Sequence, residues 1–279
     1  LRARGYEVHA VSSREAKPAA DGVVWHRADL LAPGAAAELL AAVKPSHLLH
    51  LAWYVVPGKL ITAPDNFAWV TASFDLIRRF AEQGGKRVTV SGSGYEYDWS
   101  YGYCTEGLTP CVPDTVYGAC KHALHELVRS YALGKALSWA WPRVFFLYGP
   151  GEHPQRLVSS VARALLAGEP AKSSHGRQIR DYMHVQDVAD GLAAVLDAEV
   201  QGAVNVSSGQ ATTLREIVLT LGRLTGRPEL VQLGALPARA NDVPLVVGAS
   251  AKAAALGWAP RYDLEAGLAH TVDWWRGQA

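Results

Sequence analysis

Tyr117-Gly118-Ala119-Cys120-Lys121 puts a phenol and an ammonium one helical turn apart, and Ser93 stands upstream of them. Residues at i and i+4 share a helix face, so both groups can address one cavity. A free tyrosine titrates near ~10, too high for proton exchange at neutral pH. A fixed cation beside it favours the phenolate and draws that value down toward the working range. A serine hydroxyl reaching the same point can hold an alcohol or carbonyl oxygen. The set suits oxidation of an alcohol or reduction of a ketone, given a hydride carrier. By itself the Y-x-x-x-K spacing is weak, because an amphipathic helix with a surface lysine gives the same pattern.

The chain that must position these groups has 279 residues, 49% hydrophobic and 19% charged, with a formal net charge of +1. That composition supports a large core, as one big domain or two modest ones. Near-neutral charge argues against a nucleic-acid or membrane-surface role. No apolar run approaches the roughly 20 residues that span a bilayer. The three cysteines, Cys104, Cys111 and Cys120, lack C-x-x-C spacing, so neither a disulfide framework nor a zinc site is expected. His122 and His125 share the tyrosine helix without metal-ligand spacing to other candidates, and His153, His175 and His184 are scattered, so no metal site is expected. Nothing at the N-terminus reads as a signal peptide, and a cytoplasmic location is the default.

Leu1–Gly5 reads as the last turn of a helix stopped by glycine, and Tyr6–Val11 alternates like a strand. An upstream strand and most of a helix are expected to precede Leu1. Further strands are expected near Val23–His26, His47–Ala52, Arg87–Ser91 and Ala140–Phe146. Helices are expected near Gly34–Val43, Pro64–Gln83 and Pro113–Leu133. Short strands alternating with helices imply βαβ units and a parallel sheet. After Gly151 the pattern loosens. Helices are expected at Arg156–Ala167, Val185–Asp197, Thr213–Thr225, Ala249–Leu256 and Leu264–Arg276. Short strands are expected near Gln178–Asp181, Ala203–Val206 and Glu229–Gln232. The fold class is α/β, a doubly wound parallel sheet over residues 1–150 with a smaller mixed portion over 151–279 and a cleft between them.

Leu49-His50-Leu51-Ala52 at one strand end, Val90-Ser91-Gly92-Ser93 at the next, and the Tyr117–Lys121 run form an ordered series. It continues through Arg143, Tyr148-Gly149-Pro150-Gly151, Arg180-Asp181-Tyr182-Met183-His184-Val185, Asn205-Val206-Ser207-Ser208-Gly209 and Leu256-Gly257-Trp258. Together these landmarks resemble the extended short-chain dehydrogenase/reductase family of nucleotide-sugar epimerases, dehydratases and ketoreductases. The resemblance covers nearly the whole chain and implies a Rossmann-type sheet. In that family a glycine-rich turn after the first strand holds the cofactor pyrophosphate; that segment would lie upstream of Leu1.

The resemblance makes Tyr117 the general acid/base, Lys121 the group that lowers its pKa and binds the nicotinamide ribose, and Ser93 the group that positions the reacting oxygen. Ser12, Ser13 and Arg14 end the second family strand without a carboxylate before Glu15, which leans toward NADP over NAD. A solvated Arg14 remains the alternative. Asp29 and Leu30 match the adenine contact; Leu51, Ala52, Trp53 and Ser91 would lie along the cofactor. Arg180 and Arg239 match arginines that grip a nucleotide-sugar diphosphate, with surface ion pairs as the alternative.

Departures narrow the reaction. Family dehydratases carry Asp-Glu directly after the Ser/Thr, whereas Gly94-Tyr95 follows Ser93. Phe145-Phe146-Leu147 and Trp69 stand where asparagines are usual. The resemblance therefore implies a 4-ketoreductase of a nucleotide-activated sugar, or a C4 epimerase. A cofactor-binding regulator without catalysis and a reductase of non-nucleotide ketones are rivals. The aromatic insert from Tyr95 to Glu106 can stack on a nucleobase or hexose, or simply pack as a lid. Homodimerisation through the helix carrying Phe67, Val70, Phe74 and Ile77 and the helix carrying Leu127 is the family arrangement, although core packing also explains that apolar spacing.

Overall fold

Short apolar runs separated by helix-length segments are best satisfied by a parallel sheet buried between helices. The computed structural model describes residues 1–14, 22–238 and 242–278. Strand β1 (His9–Ser12) pairs in parallel with β2 (Val24–Arg27). Helix α1 (Ala35–Val43) leads to β3 (His47–His50), and α2 (Asp65–Glu82) leads to β4 (Arg87–Val90). Helix α3 (Val116–Lys135) precedes β5 (Ser138–Val144). After α4 (Leu157–Leu166) and α5 (Val185–Asp197), β6 (Gly202–Val206) completes a parallel sheet ordered β6-β5-β4-β3. Helices α6 (Leu214–Thr225) and α7 (Leu264–Arg276) follow. This is the α/β, Rossmann-type class that the alternation predicts. Among the described residues no helix is long and apolar enough to cross a membrane.

Burial explains the placement of the helices. Every residue of β4 is buried, as expected for a strand covered on both faces. On one face α2 contributes Leu76, Ile77 and Phe80, and α3 contributes Cys120, Leu124 and Val128. Both sets close over Val88, Val90, Trp139 and Trp141. On the other face α5 packs Val188, Leu192 and Val195 against Ala140, Val204 and Val206, with Ala253 and Trp258 in the same cluster. A third cluster joins α4, α6 and α7 through Val161, Leu165, Ile217, Leu221 and Leu268.

The strand expected over Ala140–Phe146 divides at Phe145. Phe146–Tyr148 forms a separate strand that pairs with Tyr182–His184. Phe146 N–H is already on the Asp181 carbonyl at 3.1 Å, which diverts the chain from the main sheet. Likewise Tyr103–Cys104, within the aromatic insert, is a strand against Leu245–Gly248, which in turn pairs with Ile179–Arg180. These two-residue pairings have no periodicity to show in the sequence.

Candidate active site

The chain leaves β4 at Val90 and returns to the sheet edge as Gly92–Ser93, paired with Arg143–Val144 of β5. Ser93 then caps the short 3-10 turn Gly94–Glu96. Its hydroxyl accepts the Tyr95 N–H at 3.2 Å, and Glu96 Oε1 accepts the Ser93 N–H at 2.8 Å. This reciprocal cap fixes the serine backbone. Glu96 is itself wholly buried, with Trp141 Nε1 donating to Oε1 at 2.8 Å and Arg143 Nε to Oε2 at 2.9 Å.

Helix α3 brings the tyrosine to that turn. Thr115 Oγ1 accepts the Gly118 N–H at 3.0 Å and starts the helix. Gly118 lies against the backbone of the serine turn: a Cβ there would sit 2.2 Å from the Tyr95 carbonyl oxygen. The close approach brings the Tyr117 phenol beside the Ser93 side chain, whose influence lowers the phenol's pKa. The Tyr117 ring meets Tyr95 edge-on at 5.6 Å and Trp53 edge-on at 6.4 Å between centroids.

Lys121 follows one turn along α3. Its Nζ donates to the Ser91 carbonyl at 2.9 Å and sits 3.8 Å from the centre of the Trp53 ring. Burial pushes the Tyr117 phenol up to about 12, against the lowering influence of Ser93, while Glu96 and Tyr95 add to the rise and Arg156 opposes it. Burial also draws Lys121 down to about 7, with Glu96 acting the other way. For the phenol the leading influence is burial. Desolvation of two buried groups outweighs an ammonium directed at a carbonyl.

The other cofactor candidates cluster where the strands end. Ser12, at the end of β1, accepts the Arg14 N–H through Oγ at 3.1 Å, and Ser13 and Arg14 are exposed. Asp29, just past β2, is exposed and accepts the Leu31 N–H through Oδ1 at 3.0 Å, and Leu30 packs on the core. Leu51 is exposed after β3, Ala52 is half-buried, and Ser91 is half-buried after β4. Trp53 instead turns inward, 8% exposed, and donates through Nε1 to Asn66 Oδ1 at 2.7 Å. Asn66 carries no signal in the sequence beyond its polarity on a helix face.

On the substrate side, Arg180 is buried and already paired. Its Nη2 donates to Asp242 Oδ1 at 2.5 Å and Nη1 to the Ile179 carbonyl at 2.8 Å. Arg239 lies outside the described residues. Phe146 joins Tyr95, Trp99 and Tyr182 at centroid distances of 6.4, 6.0 and 5.5 Å, so the insert packs an aromatic wall beside Tyr117.

Glu96, His122 and His125 come together with possible ligand atoms within 4.8 Å of one another, a grouping the His spacing alone does not reveal. The guanidinium of Arg143 on Glu96 already neutralises that carboxylate, so a second cation there would be repelled. Within the cluster the ion pair is Glu96 with Arg143, while His125 bonds outward to Glu126. His122 and His125 also line a cavity of about 680 Å³ with Glu106, Cys111 and Lys252, and it includes none of Ser93, Tyr117 or Lys121. Cys104 is buried and its thiol is pushed up to about 12, which suits packing rather than nucleophilic attack.

Comparison with known proteins places this geometry. A dTDP-glucose 4,6-dehydratase of Xanthomonas campestris pv. campestris is 31% identical over 178 residues, covering 60% of this chain. The chain spans 51% of that relative's length. A UDP-glucose 4-epimerase of Azospirillum brasilense is 29% identical over 290 residues, covering 94% of this chain and 81% of the relative. The structure of a Thermus thermophilus UDP-glucose 4-epimerase in complex with NAD superposes with a TM-score of 0.86 at 25% identity, covering 100% of this chain and 94% of that one. The family model for the NAD dependent epimerase/dehydratase family matches residues 1–207, and the chain belongs to that family.

Proposed function

We propose that the protein is an NAD(P)-dependent oxidoreductase acting at C4 of a nucleotide-activated sugar, with ketoreduction as the first reading. The convergence of buried Ser93 and Tyr117, with buried Lys121 one turn along the same helix face, carries it. The residues fit a nicotinamide dinucleotide. Among the described residues Lys121 makes one hydrogen bond, so its buried ammonium keeps donors for ribose hydroxyls. The bound dinucleotide would supply or take up the hydride.

The chain's own groups handle the proton. Ser93 Oγ holds the substrate oxygen at the phenol. Tyr117 Oη donates its proton to that oxygen on reduction and accepts it on oxidation. A phenol raised by burial gives up its proton reluctantly, so the buried Lys121 ammonium on the same helix face is the charge that eases proton loss. Arg180, oriented by Asp242, meets the substrate diphosphate, together with Arg239. Ser12, Ser13 and Arg14, without a carboxylate, favour the 2′-phosphate of NADP. The exposed Phe67 and Leu127 provide a dimer face.

Dehydration is disfavoured, because Glu96, the carboxylate nearest Ser93 in sequence, is committed to Arg143 and Trp141. C4 epimerisation is the second reading, favoured by the epimerase relatives that align along most of this chain. Incubation with NADPH or NADH and nucleoside-diphospho-4-keto-6-deoxyhexoses tests both. Loss of nicotinamide absorbance supports the reductase. Interconversion of sugar epimers without net cofactor turnover supports the epimerase, and neither outcome across several nucleotides overturns the assignment.

A further inference from the structure

We infer that Trp53 is the positioning residue for Lys121: its indole face, locked by Asn66, holds the ammonium against the Ser91 carbonyl and favours its charged form within the core. The inference rests on the reading of Tyr117 and Lys121 given above. Lys121 is 3% exposed, and a buried ammonium needs compensation. Among the described residues no carboxylate pairs with it. The Trp53 ring centre lies 3.8 Å from Nζ, well inside the range of cation–π attraction, which strengthens on desolvation.

The ring is held on all sides. Trp53 Nε1 donates to Asn66 Oδ1, and Asn66 Nδ2 donates to the Leu60 and Ala63 carbonyls, both at 2.8 Å. Asn66 is fully buried, so its amide has no alternative partner in solvent. Trp69 stacks on the indole at 6.2 Å, and the Tyr117 ring meets it edge-on.

Other groups near Lys121 do not replace this contact. From β3, His50 is held neutral, drawn down to about 3 by burial and by the lysine charge, and it bonds to Ser73 of α2. From the serine turn, Glu96 attracts the ammonium but is neutralised by Arg143. Tyr117, one turn back on α3, is an uncharged phenol over the ordinary pH range. Beside the Ser91 carbonyl, the indole is the group that favours the charged lysine.

The test is a lysine-selective ¹³C NMR titration of the full chain, with the Lys121 signal assigned by its loss in Lys121→Met. Trp53→Leu is expected to lower the Lys121 midpoint by about one pH unit, and Trp53→Phe by less, because benzene keeps a weaker face. A fluorinated tryptophan placed at 53 keeps the shape, weakens the ring quadrupole, and should also lower the midpoint should Trp53→Leu not fold. An unchanged or raised midpoint overturns the inference. Turnover is read separately. In an active wild type the alkaline limb of kcat should move down with the Lys121 midpoint. Absence of any turnover in the wild type would count against the proposed function while leaving the NMR result decisive for Trp53.

Discussion

Glu96 and Arg143 form a buried ion pair at 2.9 Å directly behind Ser93, and the same carboxylate accepts the Ser93 backbone N–H. The pair links the interior of β5 to the placement of the serine hydroxyl. Glu96→Ala leaves Arg143 charged and unpaired in the core. It should destabilise the fold by about 3–5 kcal/mol, measured by urea denaturation. Glu96→Gln, which retains an acceptor, should cost less.

Tyr117→Phe removes the proton donor and leaves the ring packing. Turnover should fall by about 10²–10⁴-fold, while dinucleotide affinity measured by nicotinamide fluorescence stays near the wild-type value. Equal loss of cofactor binding would show that the phenol is structural.

Stability should rise with pH on the alkaline side of neutrality. The folded chain holds the Lys121 proton less tightly, with a midpoint near 7 against an ordinary 10.5, so the unfolded state binds more protons across that window. Tyr117 works in the opposite sense above 10, where the unfolded phenol ionises and the folded one resists up to about 12. Between pH 7.5 and 9.5 the Lys121 contribution amounts to about 2 kcal/mol. Denaturation midpoints of wild type and Lys121→Met at the two pH values check this, and the variant should lack that part of the increase.

Arg180→Met should raise KM for a nucleotide sugar about 10-fold or more, since a charge-assisted hydrogen bond to phosphate is lost. KM for a small non-nucleotide ketone should not change. Asp242→Asn tests the orienting pair, and its effect on the nucleotide sugar should be smaller than that of Arg180→Met.

The helices were readable from residues whose signals are local. Thr115 and Asp263 cap, Gly226 stops, and the apolar stripes of α2 and α3 repeat at helical spacing. Ser93 and Tyr117 were readable as a pair because strand end and helix start converge in any parallel α/β sheet. The direction of Lys121 was not. A shared helix face fixes where a side chain begins, but not that a lysine ends on the Ser91 carbonyl and the Trp53 ring. Glu96 and Arg143 stand 47 residues apart, and no local pattern marks two charges that meet in a core. Asp242 likewise lies 62 residues from Arg180, so its claim on that guanidinium appears only in three dimensions.

The fit of Gly118 against the Tyr95 carbonyl separates shape from chemistry. A single methyl group there would wedge α3 away from the serine turn and widen the gap between Tyr117 and Ser93. A descendant of this chain could thus fall silent as a catalyst through one alanine and still look, by its outline, like a working enzyme.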